Sequence, residues 1–104
     1  MKADKLSIVN YLKEIKSELQ KDGISKIALF GSFARNEQNV YSDIDIAIQK
    51  ENDYLTKRSA YDYFEEVAKI KNLLRRKFHR NSDIFDLDSN NTMMQSIYKD
   101  LIYV

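Results

Sequence analysis

"LFGSFARNEQNVYSDIDIAI", residues 29–48, is the stretch on which the reading of this chain turns. The chain has only two glycines, and one of them, Gly31, follows an apolar run directly. Two aspartates, Asp43 and Asp45, then fall on the next alternating segment. Side chains of a strand alternate between its faces, so Asp43, Asp45 and Ala47 point one way and Ile44, Ile46 and Ile48 the other. The isoleucine face is the one to pack on helices. The opposite face carries two carboxylates about 6–7 Å apart by Cα. Such like charges repel, and a cation between them relieves the repulsion. An isolated Asp-x-Asp is ordinary decoration of a solvated edge strand, and Gly-Ser an ordinary tight turn. Their neighbours change the balance.

Gly31 and Ser32 stand where a buried strand ends. Without a Cβ the backbone can approach a ligand closely, and successive N–H groups in such a turn can receive phosphate oxygens. Ser32 adds a hydroxyl, Phe33–Arg35 can present a helix N-terminus to the same anion, and Arg35 supplies a forked cation. A further acidic segment, "SDIFDLD" (residues 82–88), groups Asp83 with Phe85 and Leu87, and Asp86 with Ile84 and Asp88. Only one set can face the site. Asp83 is the candidate if Phe85 and Leu87 bury deeper, but periodicity leaves that choice open.

The surrounding elements read as follows. Leu6, Val9, Leu12, Ile15 and Leu19 recur at helical spacing, predicting a helix from Asp4 to Lys21 with Asp4 as cap and Gly23 as a left-handed stop. Residues 24–30 form a short buried strand and residues 42–48 a second one. A long helix over 55–78 has Ala60, Tyr63, Val67, Ile70, Leu74 and Phe78 as its inner stripe. A third strand covers 82–88, and a closing helix is capped by Asn90 or Asn91. The tail, residues 102–104, is a candidate edge strand. This order predicts one α+β domain over residues 1–104, a small mixed sheet packed on helices. Only about a dozen residues separate the first two strands, too few for a doubly wound parallel sheet.

Composition removes several function classes. The 104 residues are 43% apolar and 32% charged, with 17 basic against 16 acidic side chains and a net charge of +1. That balance carries no bias toward bulk nucleic acid, and direct nucleic-acid binding is not expected. Without cysteine there are no disulfides, thiolate metal sites or cysteine nucleophiles. One histidine, His79, leaves little for an imidazole site, so any metal is a hard cation held by oxygen. No apolar run approaches the length of a membrane span and no signal-peptide core opens the chain, so a cytoplasmic location is expected. The basic run Arg75, Arg76, Lys77, His79, Arg80 suits a helix C-terminus, with a docking patch for an acidic partner, or RNA contact, as the alternative.

Gly31-Ser32, ten residues, then Asp43-Ile44-Asp45 resembles the G-S-x10-D-x-D signature of the DNA-polymerase-β-like nucleotidyltransferases. The chain looks most like the minimal nucleotidyltransferases, and the resemblance runs over nearly its whole length. It implies a palm-like sheet, two Mg²⁺ ions and ATP as substrate. On the matching positions Asp43, Asp45 and Asp83 would be the catalytic, metal-holding carboxylates, and Gly31, Ser32 and Arg35 would grip the nucleotide. Asn36 departs from the glycine common in the family after Ala-Arg, but asparagine tolerates a left-handed backbone.

Family members this short resemble the antitoxins of toxin–antitoxin modules, paired with a HEPN-type ribonuclease toxin. The implied reaction transfers AMP from ATP to a tyrosine hydroxyl of that toxin. The alternatives are a non-catalytic antitoxin acting by occlusion, and transfer to a small molecule or RNA.

Overall fold

A computed structural model describes residues 2–89 and 94–104. Its elements are α1 (Lys5–Lys21), β1 (Ile24–Phe30), α2 (Gly31–Ala34), β2 (Ile44–Lys50), α3 (Tyr54–Lys57), α4 (Ala60–Phe78), β3 (Ser82–Asp86), α5 (Met94–Tyr98) and β4 (Ile102–Tyr103). The sheet order is β3-β2-β1-β4. β1 runs antiparallel to β2 and β4, whereas β2 runs parallel to β3. The small mixed sheet expected from the sequence therefore forms, with residues 102–103 as one edge.

Helix α1 starts at a reciprocal cap: Ser7 N–H donates to Asp4 Oδ1 at 2.8 Å and Asp4 N–H donates to Ser7 Oγ at 3.0 Å. Two of the helix's orphan donors are thereby satisfied. Its buried stripe is Ile8, Leu12, Ile15 and Leu19. Leu6, expected on that stripe, is 70% exposed, because Ile8 holds the position one turn before Leu12. Gly23 ends the helix with φ +96°, and a Cβ there would lie 2.7 Å from the Tyr54 ring.

The single long helix expected over 55–78 is two helices. Ser59 is extended, its Oγ accepting from Asp62 N–H at 3.1 Å while Asp62 Oδ2 accepts from Ser59 N–H at 2.8 Å. This second capping box starts α4 afresh, and α3 is left to seat the buried Tyr54 beneath Gly23. Along α4 the buried residues are Glu66, Ile70, Leu74 and Phe78, whereas Ala60 is exposed and Tyr63 and Val67 are half-buried. The helix stops after Phe78, where His79 adopts the left-handed conformation with φ 56°.

β2 begins two residues later than the alternation predicts. Arg80 Nη1 donates to the carbonyls of Ser42 at 2.7 Å and Asn39 at 3.2 Å, which holds the preceding segment as a loop. β3 likewise ends at Asp86, where Asp88 N–H donates to Asp86 Oδ1 at 2.8 Å and turns the chain. Asn90 and Asn91, the expected caps of the closing helix, lie outside the described residues.

Ile44, Ile46 and Ile48 are fully buried against residues of α1 and α4, including Ile8, Leu12, Ile70 and Leu74. Each such side chain contributes about 2 kcal/mol of burial free energy. The other face has a smaller apolar cluster of Ala28, Ala47 and Leu87, flanked by Phe30, Phe85 and Leu101. Beyond that cluster, toward the start of β2, this face becomes acidic. Among the described residues no helix is long and apolar enough to cross a membrane.

Candidate active site

The site is assembled by strand register. Asp45 stands opposite Phe30 on β1 and opposite Asp83 on β3. Parallel pairing places Asp83 on the same face as Asp45, and the next pair on that face is Ala47 with Phe85. The choice that periodicity left open is thus resolved by register. Asp86 falls on the helix side, where Lys50 Nζ bonds it at 2.6 Å and reaches Asp88 at 3.3 Å.

Gly31 follows Phe30 at once and packs against the Asp45 carboxylate. Its φ is +76°, and a Cβ built there would overlap Asp45 Oδ2 and lie 2.9 Å from Cγ. Both the backbone conformation and the space therefore require glycine. Asp45 is half-buried and Asp43 and Asp83 are exposed. Burial, then the neighbouring Asp83 and Asp43 carboxylates, push the Asp45 carboxyl up to about 6, with Arg35 opposing. Among the described residues no lysine or arginine pairs with Asp43, Asp45 or Asp83.

Ser32 lies next to Gly31 in the short α2, half-buried, its carbonyl accepting from Glu37 N–H at 2.8 Å. Phe33 anchors α2 in the core, with the Arg80 guanidinium 5.1 Å above its ring. Arg35 is engaged elsewhere than the sequence implied: Nη1 bonds Asp100 at 2.6 Å and Nε bonds Glu37 at 3.2 Å. It acts on Asp45 through its field rather than by contact. Asn36 takes φ 58°, the left-handed turn for which asparagine was the tolerable replacement.

The register thus brings Gly31, Asp45 and Asp83 together, with Ser32 adjoining, while Asp43, just before β2, lines a groove with Asp83 and adds its charge to the field at Asp45. No group of three or more acidic or histidine side chains among the described residues stands in ready metal-ligating geometry. Mg²⁺ needs less than that, since it takes one or two protein carboxylates and completes its shell with water and phosphate oxygens. Clustered carboxylates with no ion-pair partner among the described residues fit such an ion. Sequence reasoning missed a groove of about 520 Å³ that continues from Asp43 and Asp83 along α4, lined by Lys71 and Arg75. The signal was their i, i+4 spacing, which places both on one helix face.

A glycine-backed strand end facing an Asp-x-Asp strand, with a third aspartate in register, is the arrangement that the resemblance implied. Residues 13–104 match the family model described as Polymerase beta, Nucleotidyltransferase, and the chain belongs to that family. Among its relatives are two proteins of Methanocaldococcus jannaschii. "Putative protein adenylyltransferase MJ0126" is 35% identical over 105 residues, covering 93% of this chain and 94% of the relative. "Putative protein adenylyltransferase MJ1379" is 38% identical over 104 residues, covering 89% and 97%. Solved structures share the fold. One described as a "putative minimal nucleotidyltransferase" superposes with TM-score 0.70 at 21% identity, over 96% of this chain and 95% of its own. A toxin–antitoxin crystal structure with AMP-PNP superposes with TM-score 0.60 at 22% identity, over 97% and 72%.

Proposed function

We propose that this chain, acting as one catalytic domain in the cytoplasm, is a Mg²⁺-dependent adenylyltransferase. It transfers AMP from ATP to a tyrosine hydroxyl of a cognate HEPN-type ribonuclease toxin and thereby serves as its antitoxin. One observation carries the reading: Asp45, flanked by Gly31 and Asp83, is held in a cluster of carboxylates that no lysine or arginine among the described residues pairs with. The adenylyltransferase names of its relatives support AMP as the transferred group. The toxin–antitoxin neighbour, whose description includes the ATP analogue AMP-PNP, supports both the nucleotide and the partner.

In this reading Asp43 and Asp45 hold the metal, and Asp83 is both a further ligand and the proton acceptor. Bound divalent ions would supply charge neutralisation for the triphosphate and the attacking oxygen. Gly31 and Ser32 offer the backbone and hydroxyl of the turn to the triphosphate, and Arg35 adds positive potential beside it. The phenol oxygen bonds to the α-phosphorus, the bond from that phosphorus to the β-phosphate oxygen breaks, and pyrophosphate leaves. The phenolic proton, with an ordinary pKa of ~10, passes to Asp83 and on to water. Positioning and charge neutralisation supply most of such a reaction's acceleration.

The test is to incubate the chain with ATP, Mg²⁺ and the product of its neighbouring gene, then weigh both proteins. The partner should gain the mass of AMP and lose ribonuclease activity, and Asp43→Ala/Asp45→Ala should abolish both effects. Inhibition that persists in that variant with no mass gain would mean occlusion. AMP transfer that needs no protein acceptor would mean a small-molecule or RNA substrate.

A further inference from the structure

Beyond the aspartates, the site continues into the groove between α4 and the start of β3. Lys71 and Arg75, one turn apart on α4, line it from the helix side. Both are exposed, and neither forms an ion pair among the described residues. Three other cations nearby are engaged, and Arg76 does not line the groove. Lys69 Nζ bonds Asp22 at 2.7 Å and Glu18 at 2.9 Å, Lys77 Nζ lies 5.4 Å from the Tyr11 ring centre, and Arg80 holds the loop before β2.

Attraction to the negative end of the helix accounts for Arg75. It does not account for Lys71, which stands two turns before the helix end. Nor does it account for Ser82. That residue is 7% exposed and lines the groove, and its Oγ has no hydrogen-bond partner among the described residues. Leaving a buried hydroxyl unpaired costs about 1–3 kcal/mol, which a ligand's polar atom would recover. In the loop that precedes Asp43, Val40 and Tyr41 are 79% and 90% exposed.

We infer that this groove is the acceptor-docking subsite, and that it takes an acidic protein segment. Lys71 and Arg75 hold carboxylates of that segment, Ser82 bonds one of its polar atoms, and the segment's hydroxyl is presented at Asp83. The two cations offset the repulsion that Asp43 and Asp83 would otherwise exert on such a segment. The identity of the hydroxyl rests on the adenylyl-transfer reading; the preference for acidic sequence does not. A protein is favoured over RNA because the whole-chain charge of +1 provides no field for a polyanion.

The test uses fluorescein-labelled peptides with a central tyrosine flanked by glutamates, serines or lysines, and a short oligoadenylate, bound to the full chain at low salt. The acidic peptide should bind at least about tenfold tighter than the basic one, with discrimination falling as salt rises. Lys71→Glu/Arg75→Glu should reverse the order. Lys13→Glu/Arg76→Glu, which makes the same change of net charge outside the groove, should preserve it. Binding without charge preference, no binding at all, a preference for the basic peptide or the oligonucleotide, or an unchanged order in Lys71→Glu/Arg75→Glu would each overturn the inference. Transfer of labelled AMP to the acidic peptide is measured separately. Charge-selective binding without transfer would count against the adenylyl-transfer reading and leave the groove assignment standing.

Discussion

The two ends of the β2–β3 pair are built from the same materials and put them to opposite uses. At one end, Asp86 and Asp88 converge on Lys50 Nζ at 2.6 and 3.3 Å, and the lysine also lies 4.4 Å from the centre of the Tyr63 ring. At the other, Asp43, Asp45 and Asp83 gather with no ion-pair partner among the described residues, and only the field of Arg35 opposes their repulsion at Asp45. Each end also has a glycine with positive φ packed against a side chain: Gly23 against Tyr54 and Gly31 against Asp45. Where carboxylates serve the fold, the chain neutralises them itself. Where they are left to repel one another, the neutralising charge must come from outside.

The largest difference between the ends should appear on substituting the glycines. Gly31→Ala should reduce AMP transfer by about 100-fold or more, because the new methyl displaces Asp45 from its position. Gly23→Ala should cost a similar amount of stability, on the order of 1–3 kcal/mol, yet leave turnover per folded molecule unchanged. Equal activity losses in the two variants, read against urea midpoints, would erase the distinction. The next effect in size concerns the paired end. Lys50→Met should destabilise by about 2 kcal/mol by stranding Asp86 and Asp88. Adding Asp86→Leu to that variant should recover much of the loss, since an apolar replacement of an ion pair is often nearly neutral.

The smallest effect is a pH-dependent gain at the unpaired end. Asp45 is raised from its ordinary 3.8 to about 6, so ionising it costs stability. The wild-type fold therefore keeps its Asp45-linked stability below pH ~4 and loses it as pH rises through ~6. Asp45→Asn should accordingly be more stable than wild type at pH 7.5, by on the order of 1 kcal/mol after allowance for solvent screening. That is a few degrees in Tm, and the gap should close below pH ~4. Calorimetric scans across that range check the sign.

How far the sequence reveals this contrast depends on whether a feature is local. The first strand, Ile24–Phe30, is bounded by two glycines and was legible to the residue. The left-handed turn at Asn36 was legible through the family resemblance, which implies glycine there, together with asparagine's tolerance of that backbone. The break at Ser59 carried a signal, serine with aspartate three residues on, but a continuous run of helix-forming residues masked it. Leu6 was assigned to the core because four spacings agree with it, whereas the actual stripe turns through Ile8. Tertiary pairings left no local trace. That Asp83 rather than Asp86 joins Asp45 follows from parallel register, and the capture of Arg35 by Asp100 joins residues from distant parts of the chain.

The most direct test is a pH titration of the Asp45 carboxyl carbon by NMR, with and without Mg²⁺ and a non-hydrolysable ATP analogue. The carboxyl should titrate near 6 in the free protein and fall below its ordinary value when metal and nucleotide supply the missing positive charge. An Asp45 that titrates at its ordinary value, or one that metal and nucleotide leave unmoved, would contradict the account.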